Sequence, residues 1–288
     1  MDAARHREPP TEGPPPFGTY APGRRLAAVL RRTRGLPDGW IGRRLAYAWR
    51  RIGLSRLAEP VDAEALGARF RLYPADNVAE KRLLFTPQYF DAAEREVLVA
   101  AARAAGPGFV FIDIGANVGG YSLAVAAAAA PGSRIIAVEP QPDVFERLCD
   151  NIRLNPGCMV KAVGSAVTDL DGEVSLFIDR LNRGETGVRY LRAARPGEEA
   201  VTVPAKTLVT LLGDEAITHL DAIKLDVEGA EDIILEPFFG EAPETLWPRL
   251  IVIEDGRQSW QSDLLGLLLA KGYRRKAETK RNLIFVRG

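Results

Sequence analysis

The stretch Phe109-Val110-Phe111-Ile112-Asp113-Ile114-Gly115-Ala116-Asn117-Val118-Gly119-Gly120-Tyr121-Ser122-Leu123 leaves this chain few ways to fold. Its opening run of aromatic and β-branched residues reads as a strand buried on both faces. An acid interrupts the run, three glycines follow, and an alanine-rich helix is expected from about Tyr121 to Ala130. Strand, glycine-rich turn and helix make the first unit of a nucleotide-type α/β fold, whose ligands lie beyond the carboxyl ends of the strands. A dinucleotide pyrophosphate needs bare backbone N–H groups at such a turn, and a carboxylate there repels it. Asp113 therefore points to a ligand carrying positive charge, and S-adenosyl-L-methionine (SAM), with its sulfonium and ammonium, meets that need.

From this unit to the C-terminus, strands and helices alternate, which implies a mostly parallel sheet covered on both faces. The expected core strands are Ser133 to Glu139, Met159 to Val163, Leu220 to Asp226 and Leu250 to Glu254, with Tyr273 to Lys276 and Asn282 to Val286 as an antiparallel terminal hairpin. A helix fills Pro140 to Asn155, and another runs from about Trp260 to Ala270. Glu173 to Ile178 and Val201 to Pro204 read as strands of an insertion, with a loop at Asn182 to Gly187.

Upstream, residues 1–23 are rich in proline and glycine and read as a disordered tail. Residues 24–105 read as a basic, helical N-terminal extension, and Gly106-Pro107-Gly108 opens the main domain, residues 106–288. Within residues 24–57 there are ten arginines against one acid, Asp38. Two readings fit: a surface helix for an anionic membrane or acidic partner, or short helices packed on the domain with solvated arginine faces.

Composition narrows the classes of function. The 288 residues carry no net charge, which gives no argument for a nucleic-acid partner. Cys149 and Cys158 are the only cysteines and form no CxxC pair, so neither a disulfide framework nor a cysteine metal site is indicated, and a reducing cytoplasm is the expected location. No apolar run reaches the ~18 residues of a membrane span, and no apolar segment follows the N-terminal arginines as in a secretory signal. Histidine is nearly absent. His6 lies in the expected tail, and His219 precedes its strand by enough to sit about 20 Å from the active rim. A general base is therefore expected to be a carboxylate.

Asp113, Glu139, Asp226 and Glu254 all end core strands and converge on one rim. Glu139, at the end of the second strand, is placed to accept both hydroxyls of a ribose. Asp226 and Glu228 project past their strand and can orient a hydroxyl, act as base or share a divalent metal, although no metal signature accompanies them. Lys224 alternates with Asp226 and shares its face, and Glu231 fits a first-turn acid.

Taken together, Phe111 to Gly119, Ala137-Val138-Glu139-Pro140, Ile223 to Glu231 and Asn282-Leu283-Ile284-Phe285 resemble the FkbM family of SAM-dependent methyltransferases. The resemblance runs from about Asp76 to the C-terminus. It implies a class I, Rossmann-like, seven-stranded fold and O-methylation of a hydroxyl on a sugar, glycan or natural product. It also implies that Asp113, Gly115, Asn117 and Gly119 hold the methionine end of SAM, Glu139 the ribose, and Gln141 with Ser165 and Ala166 the adenine. Asp226 and Glu228 fall beside the transferred methyl, with Glu254 a third candidate catalytic acid. The insertion and the segment around Tyr89 are the expected acceptor walls. The alternatives are an NAD-dependent oxidoreductase or epimerase on a similar sheet, which predicts GxGxxG at the first turn, and a non-catalytic module that keeps the fold. Nothing in the residues assigns an oligomeric state.

Overall fold

The computed structural model describes residues 13–288, apart from Arg56 and residues 180–185 and 189–197. In chain order the elements begin with helices α1 (Arg24–Arg34) and α2 (Trp40–Leu54) and a hairpin of β1 (Val61–Ala65) and β2 (Ala68–Leu72). Helices α3 (Val78–Phe85) and α4 (Ala92–Ala105) follow, then β3 (Val110–Ile114), α5 (Gly120–Ala126), β4 (Arg134–Val138), α6 (Pro142–Arg153) and β5 (Val160–Val163). The insertion holds β6 (Ala166–Thr168), β7 (Gly172–Asp179), β8 (Thr186–Val188) and β9 (Glu198–Thr207). The remainder is α7 (Leu208–Asp214), β10 (Ala222–Leu225), α8 (Glu231–Glu241), β11 (Leu250–Glu254), α9 (Leu264–Ala270), β12 (Tyr273–Glu278) and β13 (Asn282–Arg287).

Seven strands form the main sheet in the order β12-β13-β11-β10-β3-β4-β5. β11, β10, β3, β4 and β5 are parallel, and β13 runs antiparallel between β11 and β12. This is the mostly parallel α/β sheet with an antiparallel terminal hairpin that the pattern predicts. The strand order reverses at β3, so the crevice beside it is where a ligand fits. β6, β9, β7 and β8 form a separate four-stranded sheet. The expected loop at Asn182 to Gly187 falls largely outside the described residues.

Each face of the sheet has its own apolar core. Ile112, Ile114, Ile223 and Ile253 meet α7, α8 and α9 on one side. Phe111 and Leu123 on the other side meet Phe70, Leu72, Leu83, Leu84, Phe85, Val29 and Leu30. The N-terminal extension is thus a layer on this second face. It is not wholly helical: β1 and β2 pair antiparallel, turning at Leu66 and Gly67, both at positive φ. Alternating charge hides this hairpin in the sequence, because Asp62 and Arg71 point inward as a buried pair at 2.9 Å. A buried ion pair is tolerated only when its remaining lone pairs are satisfied. Gly18 and Tyr20 supply that, donating their backbone N–H groups to Asp62 Oδ2 at 2.8 and 3.1 Å. Residues 13–23 of the expected disordered tail are accordingly fixed against the hairpin, and residues 1–12 lie outside the described residues. Among the described residues, no helix is long and apolar enough to cross a membrane.

Candidate active site

A cavity of about 400 Å³ opens at the carboxyl ends of β3, β4, β10 and β11. Its wall includes Gly115, Asn117, Glu139, Ser165, Ala166, Asp226, Glu228 and Glu254, so eight of the eleven residues singled out in the sequence come together there. The other three, Asp113, Gly119 and Gln141, do not reach it.

The correction matters most for Asp113. Its carboxylate is completely buried one layer beneath the wall, where Oδ2 accepts from Ser122 Oγ at 2.6 Å and from Ser122 N at 3.1 Å. Lys224, its register partner on β10, brings Nζ to 3.7 Å. Burial raises the Asp113 pKa, opposed by the Lys224 charge and the Ser122 hydrogen bonds. Asp113 thus anchors the first turn of α5 and half-neutralises a lysine; the charge expected to face a cationic ligand faces an ammonium of the same chain. Gly119 is the left-handed residue (φ 89°) before α5, and an added Cβ would come within 2.9 Å of Leu148. It serves the packing of the turn. Gln141 caps α6, its side-chain oxygen accepting from Val144 N at 2.6 Å.

Lys224 links this lower layer to the cavity. It is 2% exposed, lies 3.1 Å from Asp226 Oδ2, and stands 4.8 Å over the Tyr121 ring. Burial pulls its pKa down, but Asp226 and Asp113 outweigh this and hold it near about 12. The ammonium therefore stays charged and fixes the Asp226 carboxylate.

At the β4 end, Glu139 Oε1 accepts from Gln141 N and Oε2 from Asn117 N, both at 2.9 Å. Burial pushes its carboxyl up to about 7, moderated by those two N–H groups. Asn117 adopts φ 52°, tolerable for this residue type, and its Oδ1 accepts from Asn77 Nδ2 at 2.9 Å, tying α3 to the turn. Ser165 Oγ and Tyr121 Oη, both on residues that line the cavity, are buried without hydrogen-bond partners among the described residues. Orphaned polar atoms of this kind mark where a ligand supplies hydrogen bonds. Glu139 and Glu254 sit on strands three steps apart, a span of about 14 Å, which suits a nucleoside joined to an amino acid.

At the β10–β11 end, carboxylate oxygens of Asp226, Glu228 and Glu254 lie within 4.8 Å of one another. Burial and the charges of Asp226, Glu228 and Glu231 push Glu254 up to about 8. Glu228 holds φ 56°, a left-handed conformation whose strain is characteristic of functional sites. Glu231 is structural, taking Trp260 Nε1 at 2.8 Å and the N–H groups of Val227 and Gly229. The three clustered acids offer oxygen ligands of the type divalent cations take, although Lys224 already supplies one positive charge. His219 lies at the opposite end of its strand, against the Gly108 carbonyl at 3.1 Å, and takes no part.

Part of the wall is not legible in the sequence: Val78 and Arg82 come from the N-terminal layer, and Arg281 and Asn282 from the β12–β13 turn. Arg82 pairs with Asp91 and lies 4.9 Å over Phe90. Asn77, which caps α3 through Ala79 N and Glu80 N, was the available signal. Of the expected acceptor walls, the Tyr89 segment contributes through Phe90 and Asp91, while Tyr89 itself turns away to the Leu36 and Pro37 carbonyls. The described residues of the insertion between Glu173 and Pro204 do not line the cavity.

Comparison with known proteins bears on this site. Hexuronic acid methyltransferase AglP of Haloferax volcanii is 24% identical over 195 residues, covering 65% of this chain and 72% of that protein. Among solved structures, a SAM-dependent methyltransferase from Agrobacterium tumefaciens matches with TM-score 0.44 and 12% identity, covering 80% of this chain and 70% of that one. An O-methyltransferase from Bacillus cereus, solved with SAH, matches with TM-score 0.41 and 13% identity, covering 67% and 80%. Residues 113–275, which carry the end of β3 with its glycine turn, Glu139 and the acidic trio, match the methyltransferase FkbM domain, and the chain belongs to that family of methyltransferases.

Proposed function

We propose that the chain moves a methyl group from SAM to a hydroxyl oxygen of a sugar, glycan or hydroxylated natural product. The observation that carries this reading is one cavity lined by the Glu139 carboxyl at one end and by three clustered acids at the other. The site residues fit SAM. Glu139 accepts from the ribose hydroxyls, and Ser165 and Ala166 border the adenine. Gly115 and Asn117 let the backbone approach the methionine portion. SAM supplies an electrophilic methyl on a cationic sulfur. The hexuronic acid named for the Haloferax relative supports a sugar-type acceptor.

In this reading the acids work on the acceptor. Asp226, held by Lys224, accepts a hydrogen bond from a neighbouring hydroxyl of the acceptor and so aims the reacting oxygen's lone pair at the methyl carbon, leaving that oxygen's own proton to Glu254. Glu254, with its raised pKa, takes up the proton as the oxygen–carbon bond forms and the carbon–sulfur bond breaks. A base near the working pH accepts a proton better than an ordinary carboxylate. The remaining contribution is alignment of donor and acceptor. A cytoplasmic setting supplies SAM and agrees with the unpaired cysteines. The deciding experiment incubates the chain with SAM and a panel of uronic acids, glycans and hydroxylated metabolites and measures S-adenosylhomocysteine release. No release with any acceptor, despite SAM binding, would favour a non-catalytic module.

Glu139 gives a separate expectation. Two ribose hydroxyls can donate to both of its oxygens only in the charged form, and burial pushes its carboxyl up to about 7 in the free protein. SAM affinity is therefore expected to fall as pH drops through about 7, and binding at that pH to release a proton. Calorimetry in buffers of different ionisation enthalpy measures both; affinity independent of pH between 6 and 8 would take Glu139 out of the ribose site.

A further inference from the structure

The arginine-rich N-terminal layer presents a surface that the methyltransferase reading does not use. One side of α2 is committed to the fold: Gly42, Ala46 and Gly53 are buried, and a Cβ on Gly53 would strike Phe85. The other side is open. Ile41, Leu45 and Ile52 follow helical spacing along it and are 65%, 47% and 57% exposed, with Trp40 and Tyr47 beside them at 72% and 49%. Five of the nine large apolar side chains exposed among the described residues thus fall on this one 15-residue helix. Monomeric surfaces do not gather apolar groups in this way without a use for them.

Charge narrows the occupant. Arg44 and Arg51 lie on the same open side; Arg44 stacks over Trp40 at 5.1 Å and Arg50 over Tyr47 at 4.6 Å. Ile52 also borders a groove of about 830 Å³ whose rim carries Arg24 and Arg25. A second copy of the chain would bring two such arginine fields together, which repel. An apolar ridge with aromatic flanks and a cationic border is the composition of a helix lying in the interface of an anionic bilayer.

We infer that α2 docks the protein in-plane on an anionic phospholipid membrane, with Ile41, Leu45 and Ile52 entering the headgroup–acyl boundary and the arginines contacting phosphates. The packed side of α2 and the loop before it are tied to the wall of the cavity. Tyr89 hydrogen-bonds the loop before α2 at 2.9 and 2.8 Å and lies under Arg43, and the next two residues, Phe90 and Asp91, line the cavity. The docking itself does not depend on the acceptor assigned above.

The test is co-sedimentation of the full chain with vesicles of phosphatidylcholine alone and of phosphatidylcholine with phosphatidylglycerol, at low and high salt. Binding to the anionic vesicles, weakened by salt and weak on phosphatidylcholine alone, is expected. Arg44→Gln with Arg51→Gln should lower partitioning on the order of thirtyfold, at ~1 kcal/mol per arginine near the surface. Ile41→Ser with Ile52→Ser should lower it by roughly tenfold or more, the effect of removing the inserted apolar groups. Both pairs are surface changes, so thermal melting and SAM binding should match the parent protein. Parent protein remaining in the supernatant with anionic vesicles overturns the inference. So does vesicle binding unaffected by either pair, or a dimer in sedimentation velocity that the Ile41→Ser, Ile52→Ser pair dissolves while lipid binding is absent.

Discussion

Gly115→Ala is expected to destabilise the protein by on the order of 4 kcal/mol, from left-handed strain and overpacking together, and to abolish measurable SAM binding. Gly115 holds φ 75°, and a Cβ built there would lie 2.0 Å from the backbone oxygen of Asp226. No side-chain rotation relieves a clash with a main-chain atom. The end of β3 and the end of β10 must part, and that parting moves the glycine turn away from Glu139 and Asp226 away from the cavity. A melting temperature lowered by roughly 10 °C is the readout for a domain of this size. Melting equal to the parent protein would mean that the two strand ends do not approach this closely in solution.

Asp226→Asn is expected to lower kcat by roughly a hundredfold or more while changing the SAM dissociation constant little. Asparagine keeps an oxygen that accepts from Lys224, so the lysine's 3.1 Å hydrogen bond survives the substitution. What disappears is the charge that orients the acceptor hydroxyl. That charge is also a main reason, after burial, that Glu254 titrates at about 8. Parent kcat/KM should rise with pH through about 8 as Glu254 loses its proton. The residual activity of Asp226→Asn should rise at lower pH, because one repelling carboxylate is gone. Loss of SAM affinity with turnover preserved would make Asp226 a cofactor ligand instead.

Much of the fold could be read from the chain because its core strands are short apolar runs that end in acids. Phe109 to Ile114 and Leu250 to Ile253 are buried on both faces, and no other element tolerates such composition. The acids that follow leave the sheet at its carboxyl edge, so their convergence needed no tertiary information. Asp113 went astray because it lies one residue inside its strand. There the pleat, and the partner that cross-strand register places opposite, decide where a side chain points; the partner is Lys224, 111 residues away. Gln141 shows the same limit at a helix start, where an amide that can bind adenine can equally cap. The β1–β2 hairpin stayed hidden because its inward residues include Asp62 and Arg71, whose burial makes sense only once both are seen together. The part of the wall that Val78 and Arg82 supply depends on packing between distant segments, which local pattern does not report.

Two asparagines, Asn151 in α6 and Asn155 just past its end, join the N-terminal layer to the glycine turn. Asn151 accepts from Arg71 N at 2.7 Å and donates to the Val118 carbonyl at 3.0 Å, while Asn155 Nδ2 and Oδ1 bracket Arg69. With Asn77 holding Asn117 from α3, the hairpin, the helices and the donor-binding loop share one amide-linked seam. Heating should therefore melt layer and sheet in one cooperative transition. A fragment cut at Gly106 would lose the scaffold that gives its own loop a shape.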